Sequence, residues 1–98
     1  MTAGQGVNGN PCEKILTILN RRGLHARASA KFVSVAEKYD SSIQVSKDGT
    51  SVSGTSIMGL MMLAAAPGDQ IMIRCDGAQA GEALEALQAL VEDKFGED

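Results

Sequence analysis

Apolar positions along the chain change their period several times, and each change marks an element. In residues 14–19 (KILTIL) a two-residue period puts Leu16 and Ile18 on one face, which predicts a strand. Residues 20–24 form a short basic loop. Over 26–39 the spacing becomes helical, with Ala26, Ala30, Val33 and Ala36 recurring and Phe32 and Val35 beside them, until Asp40 and Ser41 break it. Residues 42–47 and 50–53 then flank Asp48-Gly49, a pair suited to a type I′ turn because both central positions need positive φ. After the turn at Gly54 and Thr55, Ser56 is a good N-cap for a short helix with Ile57, Leu60, Met61 and Ala64 on one side. Pro67-Gly68 is its expected stop. Residues 69–76 (DQIMIRCD) predict another strand with Ile71, Ile73 and Cys75 on one face. Ala80, Ala83, Leu84, Leu87, Leu90 and Val91 form the stripe of a last helix.

The order β-α-β-β-α-β-α, with one clear hairpin, predicts an α+β sandwich whose helices cover one face of an antiparallel sheet. Pattern alone equally allows a ferredoxin-like arrangement. The first ten residues, MTAGQGVNGN, lack the charged and apolar regions of a signal peptide, so 1–11 is read as a flexible tail and 12–98 as one domain. No 18-residue apolar run exists, and a cytoplasmic protein without membrane contact is expected.

Composition narrows the functional classes. Aromatics make up only 3% of the chain and tryptophan is absent, so base-stacking platforms are not expected. A net charge of −3 argues against binding a nucleic-acid backbone. Cys12 and Cys75 have no CxxC spacing and only one histidine to join them, so they read as buried reduced thiols and no metal is expected. Charge is uneven, however: Arg21, Arg22, Arg27 and Lys31 flank the single histidine, His25, while the stretch after Glu82 is mostly acidic.

His25 falls where the first strand pattern gives way to the first helix pattern. A helix start offers unpaired N–H groups and a partial positive charge, so a phosphoryl group on the ring would meet helix amides and the Arg27 guanidinium. The run Gly23, Leu24, His25, Ala26, Arg27 resembles the active-site signature of the HPr family, the small histidine phosphocarriers of the bacterial phosphotransferase system. Ser56, Ile57, Met58, Gly59 and Leu60 resemble that family's regulatory serine motif, and the element order agrees over about residues 12 to 95. One position departs: the family pattern usually has proline after His-Ala-Arg, and Ala28 stands there, followed by Ser29, read as a helix-surface residue. Proline presets φ in a first helical turn; alanine also suits a helix, so the site is expected to survive.

The resemblance implies an open-faced sandwich, a four-stranded antiparallel sheet with three helices on one face. It implies a monomeric phosphocarrier rather than an independent enzyme, needing no cofactor. His25 would take a phosphoryl group on Nδ1 from enzyme I, with Arg27 stabilising it, and pass it to an enzyme IIA domain. Ser56 would be the target of HPr kinase/phosphorylase, and Leu24, Ile57, Met58 and Met61 would meet partners, Met58 being the strongest surface candidate. Two other readings stay open. One is a regulatory binding module, for example in a nitrogen-regulatory branch, whose phosphorylation state selects partners without sugar transport. The other is a small α+β enzyme using His25 as general base, for which no second catalytic group stands out.

Overall fold

The structure is a computed structural model and describes residues 11–97. The tail expected over 1–11 lies outside the described residues except for Pro11. The chain runs β1 (Cys12–Thr17), α1 (Ala26–Ala36), β2 (Ser42–Lys47), β3 (Thr50–Ser53), α2 (Ile57–Met62), β4 (Gln70–Asp76), α3 (Ala80–Glu92) and a closing 3-10 turn, Lys94–Gly96. The strand order is β1-β4-β2-β3 and every neighbouring pair is antiparallel. That order resolves what the sequence pattern left open, in favour of the open-faced sandwich.

Alternation builds the two faces of the sheet. Leu16, Ile43, Val45, Ile71, Ile73 and Cys75 are buried, and they pack with Phe32, Ala36, Leu84, Leu87 and Val91 from the helices in one core. The opposite face is solvated: Ile15 is exposed there, and Arg74 bonds Glu13 at 2.7 Å across the β1–β4 pair. The β2–β3 hairpin closes as its sequence predicts, with Asp48 at φ 50° and Gly49 at φ 84°. Among the described residues no helix is long and apolar enough to cross a membrane.

Several boundaries differ from expectation, each for a local reason. β1 begins two residues before Lys14 and ends at Thr17, yet Ile18 remains fully buried in the core and its N–H bonds the Asp69 carbonyl at 2.8 Å. α1 stops at Ala36, since Lys38 and Tyr39 bond three residues back and tighten the chain out of the α-helix. Its buried stripe is Ala28, Ser29, Phe32, Val33 and Ala36, whereas Ala26 and Ala30 face solvent. The bulky Phe32 sets the phase that alanines alone could not. α2 ends before Pro67: Leu63 caps it and Ala64 turns out at φ 53°.

One close approach positions the loop ahead of α1. Gly23 sits at φ 65°, and a Cβ there would lie 2.1 Å from the Ala65 carbonyl oxygen. The same carbonyl accepts from Leu24 N–H at 3.0 Å. Only glycine satisfies both the conformation and the contact, so residues 20–25 are seated against the segment after α2.

Candidate functional site

His25 is itself the N-cap of α1, with extended backbone (φ −75°, ψ −178°). Its backbone is held on both sides: its N–H donates to Gly23 O at 2.9 Å and its carbonyl accepts from Ser29 N–H at 2.9 Å. Ser29, expected on the helix surface, is fully buried and its hydroxyl donates to Leu24 O at 3.2 Å. A hydroxyl one turn into the helix thus ties down the residue before His25.

The imidazole bonds through both nitrogens. Nδ1 accepts from the Arg27 backbone N–H at a long 3.3 Å, and Nε2 lies 2.6 Å from Oε2 of Glu97. An amide N–H can only donate, and an ionised carboxylate can only accept. Nε2 therefore carries the ring proton and Nδ1 presents its lone pair to the first turn of the helix. The Glu97 carboxyl is held below its usual range, first by donation from Asn20, then by His25 and Lys31, against an opposing effect of burial.

Glu97 is placed by the closing turn, and the turn is anchored in the core. Phe95 is fully buried at φ 58°, Lys94 precedes it at φ 56°, and Lys31 on α1 donates to the Phe95 carbonyl at 2.7 Å. The buried Asn20 amide then bridges the site, donating to Gly23 O at 2.8 Å and to Glu97 Oε1 at 3.1 Å. Both of those partners are acceptors, which fixes the amide's orientation.

Arg21, Arg22, Arg27 and Glu97 line a cleft around His25. Lys31, which the sequence grouped with the arginines, serves the Phe95 carbonyl and does not line it. Chemically the cleft offers a nucleophilic nitrogen at a helix start, three guanidinium groups for an anion, and one carboxylate behind the ring. Sequence reading missed Asn20, Glu97 and the burial of Ser29. A lone phenylalanine in the charged run DKFGED was the available signal that the chain end is pinned to the body of the domain.

Ser56 caps the second helix as its sequence predicts: its Oγ accepts from Gly59 N–H at 2.9 Å. Beside it Ile57, Met58, Met61 and Met62 are exposed, Met58 by 73% and Met62 by 77%, so only Leu60 of this helix is buried. Met58 is surface, as expected, and Ile57 and Met61 share that surface. Leu24 does not. It is 3% exposed and belongs to the core, in a loop that its N–H bonds to the Ala65 carbonyl. Cys75 is buried and stands opposite Cys12, which is partly buried, in the β1–β4 register. Burial, with Cys12 adding to it, pushes the Cys75 thiol up to about 11.

Comparison with known proteins places the chain in a family. The model of the HPr component phosphorylation site of the PTS matches residues 12–93. The phosphocarrier protein HPr of Neisseria meningitidis is 50% identical over 82 residues, covering 84% of this chain and 92% of that protein. Among solved structures, HPr-C-His from Thermoanaerobacter tengcongensis superposes with a TM-score of 0.85 at 42% identity, covering 89% of this chain and 98% of that one. HPr from Bacillus anthracis superposes with a TM-score of 0.79 at 42% identity, covering 83% and 96%.

Proposed function

Because the chain belongs to the HPr family of phosphocarrier proteins of the phosphotransferase system, we propose that His25 Nδ1 accepts a phosphoryl group from enzyme I and passes it to an enzyme IIA domain. The observation that carries this reading is the pair of ring contacts, Nε2 against the Glu97 carboxylate and Nδ1 at the helix start. A phosphorus bonded to Nδ1 displaces the long contact with Arg27 N–H and offers that amide a phosphate oxygen instead. The Arg27 guanidinium, with Arg21 and Arg22 on the same cleft, receives the remaining oxygens. A helix start contributes about 0.3–1 kcal/mol toward an exposed anion. That is enough to orient the phosphoryl group and too little to trap it, which suits a carrier that must give it up.

Ser56 and the exposed side chains of α2 form the regulatory and docking part of the same proposal. Ile57, Met58 and Met61 present flexible apolar surface that different partners can repack. A phosphate placed on Ser56 by HPr kinase/phosphorylase would add about −1.5 to −2 charge at that surface. It would disfavour docking of an acidic partner while leaving α2 folded.

Incubation with enzyme I and labelled phosphoenolpyruvate tests the reading. Wild type should acquire one acid-labile label and deliver it to an enzyme IIA domain, and His25→Ala should fold and remain unlabelled. Undiminished acid-labile labelling of His25→Ala would remove His25 from the reaction.

A further inference from the structure

We propose that Glu97 is a positioning residue that keeps the Nε2 proton on the His25 ring through the whole phosphoryl-transfer cycle. The proposal rests on the reading of His25 as the phosphoryl acceptor and assigns a role to a side chain some 70 positions away in sequence.

Three features make the carboxylate a fixture rather than a passing surface contact. Its second oxygen is occupied by the buried Asn20 amide, which is itself tied to Gly23 O. The turn that carries it is anchored by the fully buried Phe95 ring. That turn is also bonded to α1, the helix His25 caps, through Lys31 and the Phe95 carbonyl. Helix, loop and chain end therefore meet at one imidazole. Charged residues line the cleft around the ring from each of these elements: Arg21 and Arg22 from the loop, Arg27 from the first turn of α1 and Glu97 from the chain end, while Lys31, one turn along the helix, donates to the Phe95 carbonyl. Of the residues lining the cleft, Glu97 supplies the negative charge.

The reaction needs that charge behind the ring. In the accepting step the Nδ1 lone pair forms the P–N bond, the bond from phosphorus to the donor's leaving atom breaks, and the donor keeps that electron pair. The ring gains a positive charge while its Nε2 proton stays hydrogen-bonded to Glu97. In the delivering step the acceptor's lone pair bonds to phosphorus, the P–Nδ1 pair returns to the ring, and neutral imidazole is restored. No proton is released or taken up by His25 in either direction. Were the Nε2 proton lost from the phosphorylated ring, the leaving group would be an imidazolide anion, and delivery would slow sharply. The three arginines, useful to the phosphate, favour that loss by repelling a cationic ring. Glu97 opposes it, since an opposite charge in hydrogen-bond contact favours the protonated form.

The test compares wild type, Glu97→Gln and Glu97→Ala, each phosphorylated by enzyme I. Single-turnover transfer to an enzyme IIA domain is followed from pH 6 to 9, and ring ¹⁵N spectra are recorded on the phosphorylated proteins. Glutamine keeps the shape and an acceptor oxygen but removes the charge. Transfer from both variants should decline at lower pH than transfer from wild type, by about one pH unit, giving rates about tenfold lower on the alkaline side. The Nε2 proton signal should disappear over the same shifted range. Coincident pH profiles and coincident Nε2 spectra in all three proteins would overturn the role of Glu97. Label found on a residue other than His25 in wild type would instead overturn the acceptor reading, so the two failures are distinct.

Discussion

Two helices of this domain begin with a side chain bonded back onto the backbone, and the surroundings of those two starts have almost nothing in common. At α1 the cap is the His25 ring, whose Nδ1 meets Arg27 N–H at 3.3 Å; at α2 it is the Ser56 hydroxyl, which meets Gly59 N–H at 2.9 Å. The first start is ringed by Arg21, Arg22, Arg27 and Glu97. The second is followed by exposed Ile57, Met58, Met61 and Met62, with no acidic residue in its first turn. A helix terminus by itself contributes about the same small electrostatic term at either place. What separates them is the company: charged residues gathered around a weakly engaged lone pair in one case, soft apolar surface beside a well-bonded hydroxyl in the other. The first arrangement suits handling an anion, the second docking a protein.

The largest effect is expected where the α1 site is anchored. Phe95→Ala removes a fully buried ring, so the fold should lose about 3–5 kcal/mol in denaturant unfolding. The variant should also lose the Glu97 contact while the Ser56 cap persists. A loss below about 1 kcal/mol would mean that the chain end is not pinned as described.

A smaller change is expected at the α2 start. Ser56→Ala removes the cap bond to Gly59 and should cost about 0.5–2 kcal/mol of stability, with phosphoryl transfer unchanged. Ser56→Asp can keep a capping oxygen, so its stability should stay near wild type. Its KM as substrate of enzyme I should rise, and less so at high salt. A KM equal to wild type at low salt would reduce Ser56 to a plain helix cap.

The smallest effect concerns acid. The folded Glu97 carboxyl lies below its usual range, so its ionised form favours the folded state. That contribution is fully present above the unfolded value of about 4.3 and is lost as pH falls through the lower folded value. Glu97→Gln should therefore lose slightly less stability than wild type between pH 5 and 3. The opposing effect of burial on the Glu97 carboxyl keeps the difference small. A steeper acid loss in the variant would contradict the sign.

Local chemistry made much of this legible in the sequence. Asp48-Gly49 dictates its turn, so the strands on either side appear with the expected bounds. Alternation in β4 placed Ile71, Ile73 and Cys75 in the core, and the stripe of α3 was read with only Leu90 left partly exposed. Alanine carries too weak an apolar signal to set a helix phase, which is why spacing alone assigns Ala26 and Ala30 inward and Ser29 outward, the reverse of the structure. Leu24 is core and not partner-facing, and the hydrogen bond that seats its loop runs to a carbonyl distant in sequence. The site was half visible. His25, its helix start and the nearby arginines are neighbours in sequence, whereas Asn20 and Glu97 reach the ring only through tertiary folding and share no local spacing with it.

The most direct test of the ring's role is the identity of the nitrogen that carries phosphorus. Wild type labelled with ¹⁵N in histidine is phosphorylated by enzyme I, and its ³¹P and ¹⁵N resonances are assigned. With Nε2 held by Glu97 and Nδ1 engaged only by the long contact at the helix start, phosphorus should couple to Nδ1 while Nε2 keeps its proton. Phosphorus on Nε2 would contradict the geometry, because the 2.6 Å contact with Glu97 would have to break for the reaction to occur.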